Sequence, residues 1–71
     1  MVRAVVLVRS PKTLTSSKIG KIEGVQDAFD VSGRFDAVAL IDVGDLSAVK
    51  ETALKIQAIE GVRRTETLVE A

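Results

Sequence analysis

Two segments of the chain carry apolar residues on both faces of an extended strand. Val2–Arg9 places valines and an alanine on one side, with Val5 and Leu7 on the other, and Asp36–Val43 repeats this pattern. Apolar side chains on both faces are typical of strands in the middle of a sheet. We therefore predict that both segments are central strands.

Two other segments are more polar and fit the edges of the same sheet. Val25–Ser32 alternates imperfectly, with Val25, Phe29 and Val31 expected on one face and polar residues opposite. Val62–Val69 is rich in charge and threonine. Strands with one polar face are typical of edge positions, which are wetted on that side.

A short first helix is predicted between the first two strands. Leu14, Ile19 and Ile22 recur at helical spacing, and Thr13 or a following serine is the N-cap candidate. We expect Gly24 to end this segment, because glycine adopts a left-handed conformation at little cost.

The second helix has a clearer amphipathic pattern. It begins after Gly44, with Asp45 or Ser47 as N-cap, and Gly61 closes it. The apolar stripe consists of Leu46, Val49, Ala53, Ile56 and Ile59.

An internal repeat organises the whole chain. Ile19–Val25 recurs 37 positions later as Ile56–Val62, with five of seven residues identical. Both copies fall where a helix ends and a strand starts, so the chain is strand–helix–strand twice over. We predict an α+β, ferredoxin-like βαββαβ sandwich with an antiparallel sheet of order 4-1-3-2 and both helices on one face. The alternative is that the repeated segment is merely a convenient helix stop.

Such a fold leaves one face of the sheet without helices. Whichever face the helices cover, apolar side chains of the central strands remain on the other. Those residues are Val5, Leu7, Val38 and Leu40 on one face, or Ala4, Val6, Val8, Ala37, Ala39 and Ile41 on the other. A contiguous apolar face indicates an interaction surface, and we expect a symmetric face-to-face dimer. The alternative is a monomer with scattered surface valines.

Composition narrows the function classes. The 71 residues include no cysteine and no histidine, and ten basic residues balance ten acidic ones. A domain this small usually needs stabilisation beyond its own core, from disulfides, a bound metal or self-association. Without cysteine, disulfides and thiolate metal sites are excluded, and self-association is the remaining source of that stabilisation. The balanced charge gives no reason to expect nucleic acid or membrane partners. With no signal peptide or long apolar run, we expect a cytoplasmic protein.

The chain offers little for catalysis. A Ser-x-x-Lys pattern occurs once, at Ser47–Lys50, where helix capping is the simpler interpretation. The basic pair Arg63 and Arg64 is expected to be solvated and balanced by Glu66 and Glu70. We predict no catalytic residue, no metal site and no cofactor, and we do not expect an enzyme.

The turn before the third strand is the most distinctive polar feature. It contains Gly33, Arg34, Phe35 and Asp36. Arg34 can grip a carboxylate with two parallel hydrogen bonds, and Asp36 can receive an amino group, which together suit an amino acid zwitterion. The alternative is a plain turn, in which Gly33 supplies the bend and Phe35 packs on a neighbour.

These motifs resemble those of a known family. A Gly-x-x-Asp turn stands at Gly33–Asp36, and a Gly-Val-x-x-Thr-x-Thr segment stands at Gly61–Thr67. Both are similar to the C-terminal effector domain of the Lrp/AsnC (feast/famine) transcriptional regulators, and the match covers most of the chain in the same order of elements.

The resemblance implies several further properties. It implies dimers formed through the sheet faces, rings of dimers (often octamers), and free amino acids bound where dimers meet. By the same resemblance the ligand-binding residues are Gly33, Arg34, Phe35, Asp36, Thr65 and Thr67. Family regulators carry an N-terminal DNA-binding domain, whereas residues 1–71 resemble a single stand-alone effector domain. We therefore expect no direct nucleic acid contact, and regulation by amino acid sensing or by co-assembly with full-length relatives.

Two other functions stay open at this point. One is a purely structural, partner-binding oligomer in which Gly33–Asp36 serves only as a turn. The other is a small dimeric α/β-barrel enzyme, which shares the fold and requires an enclosed polar pocket between helices and sheet.

Overall fold

The chain forms two strand–helix–strand units that share one antiparallel sheet. The computed structural model describes residues 1–11 and 15–71. Its elements are β1 Val2–Arg9, α1 Thr15–Ile19, β2 Val25–Asp30, β3 Ala37–Val43, α2 Leu46–Gln57 and β4 Arg64–Val69. The sheet order is β2-β3-β1-β4, which is the predicted order 4-1-3-2 counted from the other edge. The predicted ferredoxin-like fold is confirmed, while Leu14 and the N-cap candidate Thr13 lie outside the described residues.

The core lies between the sheet and the helices. Alternate residues of β1 and β3 point to this side, where they pack against one face of each helix. The buried apolar residues are Ala4, Val6, Val8, Ile19, Ala37, Ala39, Ile41, Val49, Ala53 and Ile56. Both helices therefore cover the same face of the sheet, as predicted. No helix in the described part of the chain is long and apolar enough to cross a bilayer.

The sequence repeat is also a structural repeat. In both Ile19–Val25 and Ile56–Val62, the second isoleucine donates its N–H to the carbonyl of the first at 3.1 Å. In both, the closing valine donates to the carbonyl of the second isoleucine, again at 3.1 Å. Gly24 and Gly61 have φ values of 99° and 97°, the positive φ that the third residue of a type II turn requires. The repeat therefore encodes one turn, used twice.

A β-bulge changes the faces of β2. Val25 pairs with the buried Ile41, but the register shifts after Gln26, so Phe29 pairs with Val38. Val38 faces away from the helices, and Phe29 lies on that face with it. The prediction that Val25 and Phe29 share a face is therefore wrong, because one extra residue in a strand inverts the alternation beyond it.

Two edge strands are shorter than predicted. β2 ends at Asp30 rather than Ser32, and β4 begins at Arg64 rather than Val62. The Val62 N–H is bonded to the Ile59 carbonyl within the turn at 3.1 Å, so that N–H is already engaged before the ladder starts.

Candidate functional site

Asp36 joins the β2–β3 turn to the end of β1. Its carboxylate accepts a hydrogen bond from the backbone N–H of Ser10 at 2.8 Å. Its own N–H donates to the Val8 carbonyl at 2.8 Å, and its carbonyl accepts from the Val31 N–H at 3.0 Å. Ser10 is buried, so the carboxylate satisfies a backbone donor that water reaches poorly. Asp36 thus has a structural role in holding the turn in place.

The rest of the turn projects into solvent. Gly33 is exposed with a φ of 126°, and nothing lies within 4 Å of where a Cβ would stand. The Arg34 carbonyl accepts a hydrogen bond from Nη1 of Arg9 at 2.6 Å. This bond ties the guanidinium of Arg9 to the turn, while the side chain of Arg34 is exposed and Phe35 is half-buried.

A cleft of about 370 Å³ opens beside this turn, and we call it the arginine cleft. It is lined by Arg9, Arg34, Phe35, Arg64 and Glu66. Arg9 and Arg64 are directly opposite each other in the β1–β4 ladder. The cleft therefore combines three guanidinium groups, one carboxylate and one aromatic ring, which is a set able to bind a small polar ligand.

Thr65 and Thr67 lie on the other side of β4. They pair with Val8 and Val6, which are buried beneath the helices. Thr65 also accepts a hydrogen bond from the side-chain amide of Gln57 in α2 at 3.0 Å. The structure thus brings Arg34 and Phe35 together within a single chain, whereas the two threonines face away from the arginine cleft.

Sequence reasoning missed three residues of the cleft, namely Arg9, Arg64 and Glu66. Glu70 does not balance Arg63 and Arg64 as expected, because it forms an ion pair with Arg3 that includes a 3.1 Å bond from Nε. The hydrogen bond from Arg3 lowers the pKa of the Glu70 carboxyl below its ordinary value. One pattern in the sequence could have revealed the cleft. The odd-numbered residues of β1 and the even-numbered residues of β4 share one face of the sheet, and Arg9, Arg64 and Glu66 all belong to these two sets.

We call the side of the sheet away from the helices the open face, and its centre is apolar. The apolar residues there are Val5, Leu7, Phe29, Val38, Leu40 and Leu68. Phe29 and Leu68 are 44% and 53% exposed, and the other four are half-buried. A shallow cavity of about 450 Å³ on this face is lined in part by Val5, Leu40 and Leu68. The predicted apolar face is therefore confirmed.

The described acidic residues do not gather into a metal site. Within residues 1–11 and 15–71 there is no group of three or more His, Cys, Asp or Glu residues that could hold a metal ion. Asp45 caps α2 by accepting from the Ala48 N–H at 2.8 Å. The layer between helices and sheet, where a barrel enzyme needs a polar pocket, is filled by apolar side chains.

Comparison with known proteins identifies relatives by sequence. Residues 4–70 match the family model of the Lrp/AsnC ligand-binding domain. The chain is 29% identical over 72 residues to the HTH-type transcriptional regulator LysM of Saccharolobus solfataricus. That alignment covers 96% of this chain and 51% of the relative, so the chain spans about half the length of the curated regulator it matches.

Solved structures agree with the fold. The protein TTHA0845 of Thermus thermophilus superposes with a TM-score of 0.91 at 31% identity, covering 100% of this chain and 94% of that one. A feast or famine regulatory protein from M. tuberculosis, solved in complex with L-methionine, has a TM-score of 0.80 at 20% identity. The superposition covers 99% of this chain and 50% of the M. tuberculosis protein. At this identity the likeness establishes the fold alone.

Proposed function

The chain belongs to the Lrp/AsnC ligand-binding domain family, and from that premise we propose that it is an amino-acid-sensing regulatory module that works as an assembly of copies. The observation that carries this proposal is the arginine cleft beside the Gly33–Asp36 turn. The match to a ligand-binding family supports the binding of a small ligand, and the cleft supplies groups of the right chemistry next to the turn.

The cleft contains partners for both ends of an amino acid. The guanidinium of Arg34 can hold the α-carboxylate through two parallel bonds. An α-ammonium group needs a carboxylate, which we assign to Glu66 because Asp36 already accepts the Ser10 N–H. Phe35 offers an apolar wall to the ligand side chain. The sequence led us to expect Asp36 as the partner of the amino group, and this proposal assigns that role to Glu66 instead.

The open face supports the proposed dimer. Its six apolar residues are contiguous across all four strands, and a face of this kind on a small domain is typical of an interaction surface. Packing two copies face to face would remove these residues from water around a two-fold axis. Rings of such dimers, with free amino acids bound where dimers meet, are what the family resemblance adds to this proposal.

The relatives, rather than the site, support the proposed regulatory role. One relative by sequence is a transcriptional regulator, and a structural neighbour is a regulatory protein that was solved with L-methionine. We propose that ligand binding changes how copies assemble, either with each other or with full-length family regulators.

The test is a panel of the standard amino acids, read by thermal unfolding and by light scattering. A ligand that binds only the folded state raises the melting temperature by mass action. We expect at least one amino acid to do so at about millimolar concentration, and to change the mean particle mass. Arg34→Gln should abolish the shift, whereas Arg63→Gln, a neighbouring exposed arginine outside the cleft, should retain it.

The competing function is a structural oligomer, and one observation favours it. Asp36 is engaged by Ser10 and so holds the turn whether or not a ligand exists. This alternative predicts a stable assembly with no thermal shift for any amino acid. That result, with Arg34→Gln behaving like the unmodified protein, would overturn the sensing proposal.

A further inference from the structure

The arginine cleft has more positive charge than a neutral amino acid can offset. Arg9, Arg34 and Arg64 bring three positive charges, and Glu66 brings one negative charge. The ion pair Arg3–Glu70 lies at the opposite end of β1 from Arg9, whereas the Asp36 carboxylate, which accepts from the Ser10 N–H, stands at the edge of the cleft. With Glu66 in the cleft and Asp36 at its edge, three positive charges face two negative ones, so a local excess of one positive charge remains.

The placement of two of these arginines is costly for the protein alone. Arg9 and Arg64 stand directly opposite each other in the β1–β4 ladder, and like charges in that relation destabilise a sheet. Arg9 is further held toward the turn by its 2.6 Å bond to the Arg34 carbonyl. A pair of like charges kept adjacent in this way is relieved when an anion binds between them.

We infer that the ligand of this cleft is an α-amino dicarboxylic acid, of the aspartate or glutamate class. This inference rests on the proposed amino-acid-sensing function and specifies its ligand. A zwitterion with a neutral side chain has no net charge and leaves the excess positive charge in place. A second carboxylate offsets that charge and occupies the Arg9–Arg64 pair, while Arg34 holds the α-carboxylate.

The size and lining of the cleft can accommodate a short dicarboxylic acid. Its volume of about 370 Å³ is near the lower end of small-molecule sites. Guanidinium groups bind carboxylates in a planar, two-bond geometry. Phe35 is half-buried on the wall of the cleft, where it can contact the methylene groups between the two acids.

The experiment compares acids with their amides, which have nearly the same shape. Calorimetry on the full chain measures binding of L-glutamate, L-aspartate, L-glutamine and L-asparagine, with glutarate as a ligand that lacks the amino group. We expect at least one acid to bind about tenfold or more tightly than its amide, because hydrogen bonds between charged groups commonly exceed the 1.4 kcal/mol that corresponds to tenfold.

Charge-removing variants locate the effect. Arg9→Gln and Arg64→Gln should each weaken binding of the acid by about tenfold, while leaving any binding of the amide unchanged. Arg63→Gln is the matched control and should bind the acid like the unmodified protein. A circular dichroism spectrum and melting curve for each variant confirm that it is folded.

Each contrary result has a defined meaning. A neutral amino acid that binds as tightly as the acid would overturn the inference while leaving the sensing function intact. Binding of no amino acid at all would overturn both. Glutarate binding as tightly as glutamate would overturn the assignment of an amino acid as the ligand. Loss of the dimer without loss of acid binding in Arg64→Gln would assign that arginine to the interface between copies instead.

Discussion

At the scale of single residues, Gly24 shows how closely the repeated turn approaches α2. A Cβ on Gly24 would lie 2.7 Å from the hydroxyl oxygen of Thr52 and 3.3 Å from a methyl carbon of Val43. Thr52 is buried and donates its hydroxyl to the Ala48 carbonyl at 2.8 Å, so it has little freedom to move. Gly24 therefore combines a positive φ with a lack of space.

Gly33 provides a comparison in which only the backbone matters. Both glycines have positive φ, but a Cβ on Gly33 would meet nothing within 4 Å. We expect Gly33→Ala to lower the free energy of unfolding by about 1–2 kcal/mol. Gly24→Ala should lower it by about 1–3 kcal/mol more, because overpacking adds to the strain. Urea denaturation measures the free energy of unfolding of both variants. Equal decreases in the two would show that the side chain of Thr52 moves aside to make room for the new methyl group.

At the scale of secondary-structure elements, α2 illustrates how a local choice is made. Asp45 and Ser47 both belong to residue types that cap helices well. The structure selects Asp45, whose backbone is extended (φ −153°) and whose side chain accepts from the Ala48 N–H. Ser47 is instead an exposed residue within the first turn.

Alanine substitutions at these two positions test the cap. Asp45→Ala removes the acceptor for the Ala48 N–H and should cost about 1 kcal/mol. For a domain of this size that corresponds to a melting temperature lower by about 4–8 °C. Ser47→Ala should be close to neutral, or slightly stabilising because alanine favours helix. The reverse order of melting temperatures would contradict the assigned cap.

The bounds of an element could be predicted where its own sequence pattern determines them. The contacts of a residue could not be predicted where they depend on how two strands pair. The bounds of β1 match the sequence pattern because its apolar faces need no partner to be recognised. The bulge in β2 depends on how that strand aligns with β3, which the sequence of β2 does not encode. Arg9 and Arg64 meet only because the β1–β4 register sets them opposite. Of the five residues that line the cleft, the sequence therefore predicted only Arg34 and Phe35, which lie in the turn.

At the scale of the whole molecule, the two faces of the sheet differ. The helices cover one of them, and the open face has an apolar centre without such a cover. Helices cover one face of the sheet, while Val5, Leu7, Val38 and Leu40 remain half-buried on the other. The arginine cleft lies at one end of this open face, because Arg9, Arg64 and Glu66 alternate with residues that point toward the helices. Assembly through the open face would therefore take place beside the proposed ligand site.

Two leucines of similar exposure test the proposed dimer. Leu68 is 53% exposed on the open face, and Leu54 is 62% exposed on α2. Leu68→Lys should convert the dimer to monomer, because a charge buried in an apolar interface without a partner is costly. Leu54→Lys should leave the dimer intact. Light scattering coupled to gel filtration gives the masses, and an unchanged dimer in Leu68→Lys would exclude the open face as the interface.

The pairing of β1 with β4 also determines how the fold would respond to mechanical load. The two strands are antiparallel, with Ala4 opposite Val69 and the Glu70 N–H bonded to the Arg3 carbonyl at 2.9 Å. Both chain ends therefore leave the sheet side by side. Tension applied between them would first break the Arg3–Glu70 pair and then open the ladder one hydrogen bond after another, like a zip. Strands pulled from opposite ends must instead shear all their bonds together, so this domain should yield at low force along its own termini.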